Sequence, residues 1–121
     1  MQAAEFDRLV AVACERIPAR FRKRLKNVAI VVEAEPHAGQ LARGRVPRGG
    51  TLLGLYEGRP LTRRSVFEPF AMPDRITIFR GPISRLARNE SELVDLVTTT
   101  VIHEVAHHFG IDDNRLSELG W

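Results

Sequence analysis

The residues best suited to chemistry lie together near the end of the chain, in the segment His103-Glu-Val-Ala-His107-His-Phe-Gly110-Ile-Asp-Asp113. Two histidines four positions apart differ by about 40° around a helix, so both imidazoles would project from one face and reach the same ion. A catalytic zinc typically takes three protein ligands and keeps a fourth position for water. A third ligand must therefore come from beyond the helix, and Gly110 would let the chain reverse toward Asp113.

The same segment contains three acidic residues, and their positions predict different roles. Glu104 cannot point in the same direction as both histidines, but its longer side chain could reach a water in the open position, which makes it the candidate general base. Asp113, six residues after His107, is the predicted third ligand. Asp112 differs by one position and stays an alternative, and the aspartate that does not bind the metal would cap the following helix.

The extended pattern is much more specific than its first half. With 4 His in 121 residues, HExxH is expected by chance in about one per cent of such chains. Requiring the later Gly and a third ligand type lowers this to about one in ten thousand. The sequence therefore predicts a site for one zinc ion, although iron, cobalt, nickel or manganese could occupy the same ligands.

Apolar periodicity predicts the helices that would position this segment. Asn89 or Ser91 can cap a long helix that runs through both histidines to Gly110, and its broad apolar surface places it inside the domain. A last short helix is expected from Asp112 to Leu119. The other predicted helical segments are Ala3 to Ile17, a short turn containing Phe21 and Leu25, and Pro82 to Arg88.

Three short runs predict strands, and they are Val28–Ala34, Thr51–Glu57 and Asp74–Arg80. The first is expected to be largely buried, and residues 63–70 are expected to pair as well. The third strand, over Ile76–Arg80, is a candidate edge for pairing with an extended substrate. The intervening segment Glu35–Gly50 is rich in Gly and Pro and is therefore predicted to be a loop.

Length and composition indicate one domain over residues 1–121, expected to be monomeric. No signal peptide or membrane span is predicted, and the single Cys14, expected to be a small core residue, fits a reducing cytoplasm. The 18 basic residues against 15 acidic ones would attract acidic partners only weakly. The densest basic stretch, Arg20–Lys26, is interpreted as a solvated helix face, so no nucleic-acid partner is predicted.

The chain resembles the minimal zincins, very small bacterial metallopeptidases with the pattern HExxHxxGxxD. The resemblance extends to Gly50-Thr-Leu-Leu-Gly-Leu-Tyr-Glu-Gly58 with Pro60-Leu61, to Ile76-Thr-Ile-Phe-Arg-Gly-Pro82 and to Arg115-Leu-Ser-Glu-Leu-Gly120. It implies an α+β fold, a single small zincin-like domain with a short mixed sheet packed on helices and the active-site helix near the C-terminus. It also implies His103, His107 and Asp113 as zinc ligands and Glu104 as base.

The function expected from this chemistry is hydrolysis of a peptide or protein substrate by a zinc-activated water. The alternative is a non-catalytic module that contains zinc and binds peptide or protein through the same cleft. Tyr56, His108 and Arg80 are candidate oxyanion donors, although core packing, surface exposure and an exposed strand end are their simpler interpretations. His37 is interpreted as a solvated loop residue, with a fourth ligand or a lid residue as alternatives.

Overall fold

Helices flank a three-stranded sheet in an α+β arrangement, as predicted. The computed structural model describes residues 1–58 and 74–121. In chain order these residues form α1 (Ala3–Glu15), α2 (Ala19–Arg22), β1 (Val28–Glu33), α3 (Ala38–Arg43), β2 (Gly54–Glu57), β3 (Asp74–Phe79), α4 (Arg80–Leu86), α5 (Glu90–His108) and α6 (Asp113–Glu118). A 3₁₀ turn over Lys23–Leu25 follows α2. The predicted pairing of residues 63–70 lies outside the described residues.

The long helix α5 is the element around which the core forms. Asn89 caps it, because its Oδ1 accepts a hydrogen bond from the Glu92 N–H at 2.8 Å. Successive turns of α5 are buried on the sides that face α1 and the sheet, through Leu93, Val94, Val97, Thr98, Val101, Ile102, Val105 and Ala106. The predicted buried helix is confirmed, and its last turn carries the candidate site.

The sheet has the order β1-β3-β2, with β1 parallel and β2 antiparallel to β3. Val28 lies opposite Asp74 in the first pair, and Tyr56 lies opposite Ile76 in the second. Since β3 is paired on both sides, the expectation that it offers a free edge to a substrate is wrong. Ile76 is fully buried at 0% exposure. Among the described strands, β2 is the edge strand that packs against α5.

Two further expectations need correction. Every residue of β1 is only half-buried, because β1 is an edge of the described sheet and its apolar side chains are not covered on all sides. The segment predicted to be a loop contains α3. His37 and Gln40 form a reciprocal cap at its start: the Gln40 N–H donates to His37 Nδ1 at 3.3 Å and the His37 N–H donates to Gln40 Oε1 at 3.0 Å.

The helix after β3 begins earlier than expected, at Arg80, so that Gly81 and Pro82 lie in its first turn. A proline is tolerated there because the first N–H groups of a helix have no partner within it.

Cys14 is half-buried and packs against the core, and burial raises the pKa of its thiol, against the lowering effect of Arg22.

Arginines of the basic stretch Arg20–Lys26 contact the rest of the protein. Arg22 Nη2 donates to the Glu15 and Ile17 main-chain oxygens at 2.7 and 3.0 Å. The guanidinium of Arg24 lies 4.7 Å from the centre of the Phe109 ring.

None of the helices in residues 1–58 and 74–121 has the length and apolar character needed to span a membrane.

Candidate metal centre

The last two turns of α5 present His103 and His107 on one side of the helix. Their ring centroids are 5.8 Å apart and the rings meet at 79°. The His103 side chain is 31% exposed and that of His107 is 43% exposed. Both imidazoles can therefore be reached from solvent while their backbone is fixed in a buried helix.

A glycine turn after α5 brings an aspartate back to these histidines. Gly110 adopts a φ of +82°, the Ile111 N–H donates to the Ala106 oxygen at 2.8 Å and the Gly110 N–H donates to that of His107 at 3.1 Å. This is a Schellman motif, which reverses the chain immediately after the helix. The predicted function of Gly110 as a helix-ending residue is confirmed.

The two neighbouring aspartates after this turn have different contacts. Asp112 caps α6, since its Oδ1 accepts the Arg115 N–H at 2.9 Å. Asp113 Oδ1 lies 2.7 Å from His107 Nε2 and 4.0 Å from His103 Nδ1. Of the two aspartates that the sequence left open, Asp113 is thus the one beside the histidines.

His103, His107 and Asp113 form a cluster in which one donor atom of each lies within 4.8 Å of the others. A tetrahedral zinc with donors at about 2.0–2.1 Å would separate two ligand atoms by about 3.3 Å. The distances from Asp113 to the two histidines, 2.7 and 4.0 Å, lie on either side of that value. Two imidazoles and one carboxylate are also the donor types that zinc accepts, so the residues present fit the ion.

Glu104 faces the cluster from the β2 side of α5. Its Oε1 accepts a hydrogen bond from the Tyr56 N–H at 3.2 Å. Burial raises the pKa of the Glu104 carboxyl, and the Tyr56 N–H and the charges of His107 and His103 act in the opposite direction. A partly desolvated carboxylate that is held by one main-chain donor is well suited to accept a proton.

Tyr56 and His108, two candidate oxyanion donors, stack on each other. Their ring centroids are 3.8 Å apart at an interplanar angle of 14°, and the Tyr56 hydroxyl donates to Asp74 Oδ2 at 2.9 Å. The stack joins β2 to the end of α5 and thereby supports the Tyr56 N–H beside Glu104. The third candidate, Arg80, is the first residue of α4. His37 caps α3 and does not belong to the metal cluster of the described residues.

A cleft of 270 Å³ adjoins the cluster between β2 and α5, and it is lined by Leu53, Gly54, Leu96, Thr99, Thr100, His103 and Glu104. Apart from His103 and Glu104 its walls are apolar or carry threonine side chains. Gly54 allows this close packing, because a Cβ at that position would lie 2.5 Å from Thr100 Cγ2. The cleft therefore brings apolar walls, a carboxylate and a candidate metal ligand into one space.

Sequence reasoning missed two contacts of this site. One is the Tyr56 N–H that holds Glu104, which depends on how β2 packs on α5. The other is the Trp121 main-chain oxygen, which lies 2.8 Å from His103 Nε2. Its signal in the sequence is Gly120, which follows α6 as Gly110 follows α5 and again indicates a reversal of the chain.

A buried HExxH helix packed on a short mixed sheet, with its third candidate ligand just after a glycine turn, defines the zincin class of fold. The family model for zincin-like metallopeptidases matches residues 25–121. The chain therefore belongs to the zincin-like metallopeptidase family.

Comparison with solved structures supports the same fold. A conserved hypothetical protein from T. thermophilus is similar with a TM-score of 0.57 and 25% sequence identity. The match covers 98% of this chain and 97% of the other. The search of curated proteins gave no significant match.

Proposed function

We propose that this protein is a zinc-dependent metallopeptidase in which His103, His107 and Asp113 hold one zinc ion and Glu104 is the general base. The observation that carries the proposal is the convergence of these three donors from two helices to within 4.8 Å. One member of the cluster, His103, lines an adjoining cleft together with Glu104. Membership of the zincin-like family supports the same assignment.

Zinc at these ligands would supply a Lewis acid that polarises the substrate carbonyl and acidifies water. The remaining chemistry belongs to the side chains. Glu104 would take a proton at its carboxylate and return it to the leaving amine, while the Tyr56 N–H, 3.2 Å from Oε1, keeps the carboxylate in place. Burial of Glu104 raises its pKa and so strengthens it as a base.

An extended peptide would bind along β2. Residues of a strand alternate in the direction of their main-chain groups, and the Leu53 oxygen accepts the Phe79 N–H at 2.9 Å. The main-chain groups of Gly54 and Tyr56 therefore point away from β3. Because the Tyr56 N–H is bound to Glu104, the Gly54 N–H and the two main-chain oxygens are the groups that would pair with the peptide. The apolar cleft walls, including Leu53 and Leu96, would accept an apolar substrate side chain.

Glu104→Gln tests the role of the base. The variant should keep its zinc and lose at least about 10²-fold in kcat on a mixed peptide library, and Glu118→Gln, an exposed change on α6, should not affect turnover. Turnover retained by Glu104→Gln would remove this residue from the mechanism. Zinc binding without cleavage by the wild type, together with binding of the same peptides, would instead favour the non-catalytic module.

A further inference from the structure

A small apolar pocket lies where α2, the 3₁₀ turn and the ends of α5 and α6 meet. It has a volume of 120 Å³. Val105 lies about 160° around α5 from both His103 and His107, so the pocket is on the opposite side of this helix from the metal cluster. The pocket is lined by Arg20, Phe21, Arg24, Val105, Ala106, Phe109, Ile111 and Leu119. Its walls are therefore apolar except for two arginines.

The pocket has the size of one apolar side chain. A cavity of about 150 Å³ accepts benzene, and a leucine side chain has fewer carbon atoms than benzene, so a volume of 120 Å³ suits a leucine. Phe109 forms part of the wall and is 43% exposed. A side chain seated in the pocket would cover apolar surface that now faces water, which favours binding.

The two arginines of the pocket are held in place and still have hydrogen-bond donors to offer. Arg20 Nη2 donates to the Leu119 oxygen at 3.1 Å, and the Arg24 guanidinium lies 4.7 Å from the centre of the Phe109 ring. Neither arginine forms an ion pair with another residue of 1–58 or 74–121. Because each guanidinium has five N–H donors, both can bind a carboxylate beside the pocket.

The chain around these arginines is basic throughout. Residues 20–26 include five basic side chains and no acidic one, and all five are exposed. The acidic residues nearest to the pocket in sequence have partners of their own, since Asp112 accepts the Arg115 N–H and Glu118 pairs with the Arg115 side chain. The surface is therefore complementary to a ligand that is both acidic and apolar.

We infer that the pocket and residues 20–26 together form a docking surface for an acidic peptide segment of a partner protein. One apolar side chain of the segment enters the pocket, and carboxylates on either side of it pair with Arg20 and Arg24. This docking surface goes beyond the proposed function, because it lies on another side of α5 and needs no metal.

A nucleic acid fits the docking surface less well, although the charge would attract it. A nucleobase is larger than benzene and has polar edges, which the apolar walls would leave without hydrogen-bond partners. Bases often bind by stacking on exposed aromatic rings. One face of the Phe109 ring is already covered by the Arg24 guanidinium, so the observations favour a peptide.

Fluorescence anisotropy with the whole chain tests the inference. The probe is a fluorescein-labelled peptide with one leucine between two runs of three glutamates, and a chelator in the buffer prevents metal-dependent cleavage of the probe. Binding should be saturable, and replacing the leucine of the probe by serine should weaken it at least about tenfold, because the pocket then stays empty. A probe with lysines in place of the glutamates should not bind. No saturable binding, or equal binding of the leucine and serine probes, would overturn the inference.

Matched variants of the protein locate the bound probe at about 0.15 M salt, where distant charges are screened. Arg24→Gln should weaken binding about threefold, as expected for one ion pair at the surface. Arg48→Gln removes the same charge from another exposed position and should leave binding unchanged. Phe109→Ala should weaken binding at least about threefold, whereas Leu86→Ala, at a side chain that is 50% exposed, should not.

Thermal unfolding shows whether each variant is folded. If Phe109→Ala is not, the comparison of Arg24→Gln with Arg48→Gln decides, since both substitutions are at exposed positions. Equal binding by folded Arg24→Gln and Arg48→Gln would overturn the inference.

Other occupants of the docking surface would give different results. A labelled single-stranded oligonucleotide that binds more tightly than the leucine probe would identify a nucleic-acid site. A dimer in sedimentation velocity that Arg24→Gln dissociates would identify an interface between two copies of this chain. Either result would overturn the inference of a peptide partner, whether or not the protein binds zinc.

Discussion

Gly54→Ala should separate β2 from α5 and thereby damage both the stability of the fold and the cleft. Gly54 is buried opposite Ile78 in the sheet. A Cβ there would lie 2.5 Å from Thr100 Cγ2 and 3.2 Å from the Thr77 main-chain oxygen. The Thr77 oxygen belongs to the central strand β3 and cannot move aside alone, so the added methyl group cannot be accommodated on that side. The contact with Thr100 can then be relieved only if β2 and α5 move apart.

The size of the effect follows from two opposing terms. Inserting one methyl group into a close-packed contact typically costs about 1–3 kcal/mol. Replacing glycine by alanine also restricts the unfolded chain, which returns about 0.4–1 kcal/mol. A net loss of about 1–2 kcal/mol is expected, and for a chain of this length it corresponds to a fall in Tm of about 4–8 °C.

The assay is thermal and urea unfolding in the presence of chelator, so that metal binding does not add to stability. Thr100→Ser provides the rescue, because it removes Cγ2 and keeps the hydroxyl that donates to the Leu96 oxygen at 2.7 Å. The double variant should recover at least about 1 kcal/mol of the loss. Strictly additive effects, or a Gly54→Ala variant as stable as the wild type, would refute the close approach of β2 to α5.

Three further predictions concern the site. Asp113→Ala should lose zinc, whereas Asp112→Ala should keep it and lose about 1 kcal/mol of stability with its helix cap; elemental analysis and unfolding would show a reversed assignment. Burial raises the pKa of Glu104 above its ordinary value of 4.5. The folded state of the metal-free wild type is therefore stabilised by the protonated carboxyl below pH 4.5, and it loses this stabilisation as the pH rises through the raised pKa. The Tm advantage of metal-free Glu104→Gln should therefore grow above pH 4.5, and a difference that is constant with pH would contradict the buried carboxylate. Thr99→Phe should fill the cleft, keep zinc and lower kcat/KM at least about tenfold, with Thr99→Val as control; an equal loss in both would show that volume is not the cause.

The parts of the fold that could be predicted are those determined by neighbouring residues. The apolar surface of α5, the cap at Asn89 and the reversal at Gly110 are local patterns, and all three are confirmed. The start of α3 is local too, but its cap uses His37 and Gln40, and histidine is not among the usual cap residues. The glycines and prolines around α3 therefore led to the prediction of a loop, although the segment contains a short helix.

The order of the strands could not be predicted from local pattern. β3 is the most buried strand and lies between its two neighbours. A strand with apolar residues on alternate positions can occupy the centre or an edge, because the choice depends on which segments pair with it. The prediction of a substrate-binding edge on β3 is therefore wrong, and we propose that β2 is the strand along which a substrate binds.

The candidate site divides in the same way. Helical spacing brings His103 and His107 together. The sequence did not decide which of Asp112 and Asp113 lies beside them, and the contacts show that Asp112 caps α6 whereas Asp113 lies at His107. The contacts to Glu104 and His103 come from residues 48 and 18 positions away in the chain. Such contacts depend on the packing of whole elements, and the sequence indicates only the chain reversal at Gly120 that precedes the second of them.

The most direct test of the account is the metal content of the protein after zinc reconstitution and removal of excess metal. Elemental analysis should find about one zinc per chain in the wild type and in His108→Ala, whose imidazole stacks on Tyr56 and lies outside the cluster. His107→Ala should contain none, because two ligands are left and one of them is the exposed Asp113. A wild type without zinc, or a His107→Ala variant that keeps it, would contradict the metal centre.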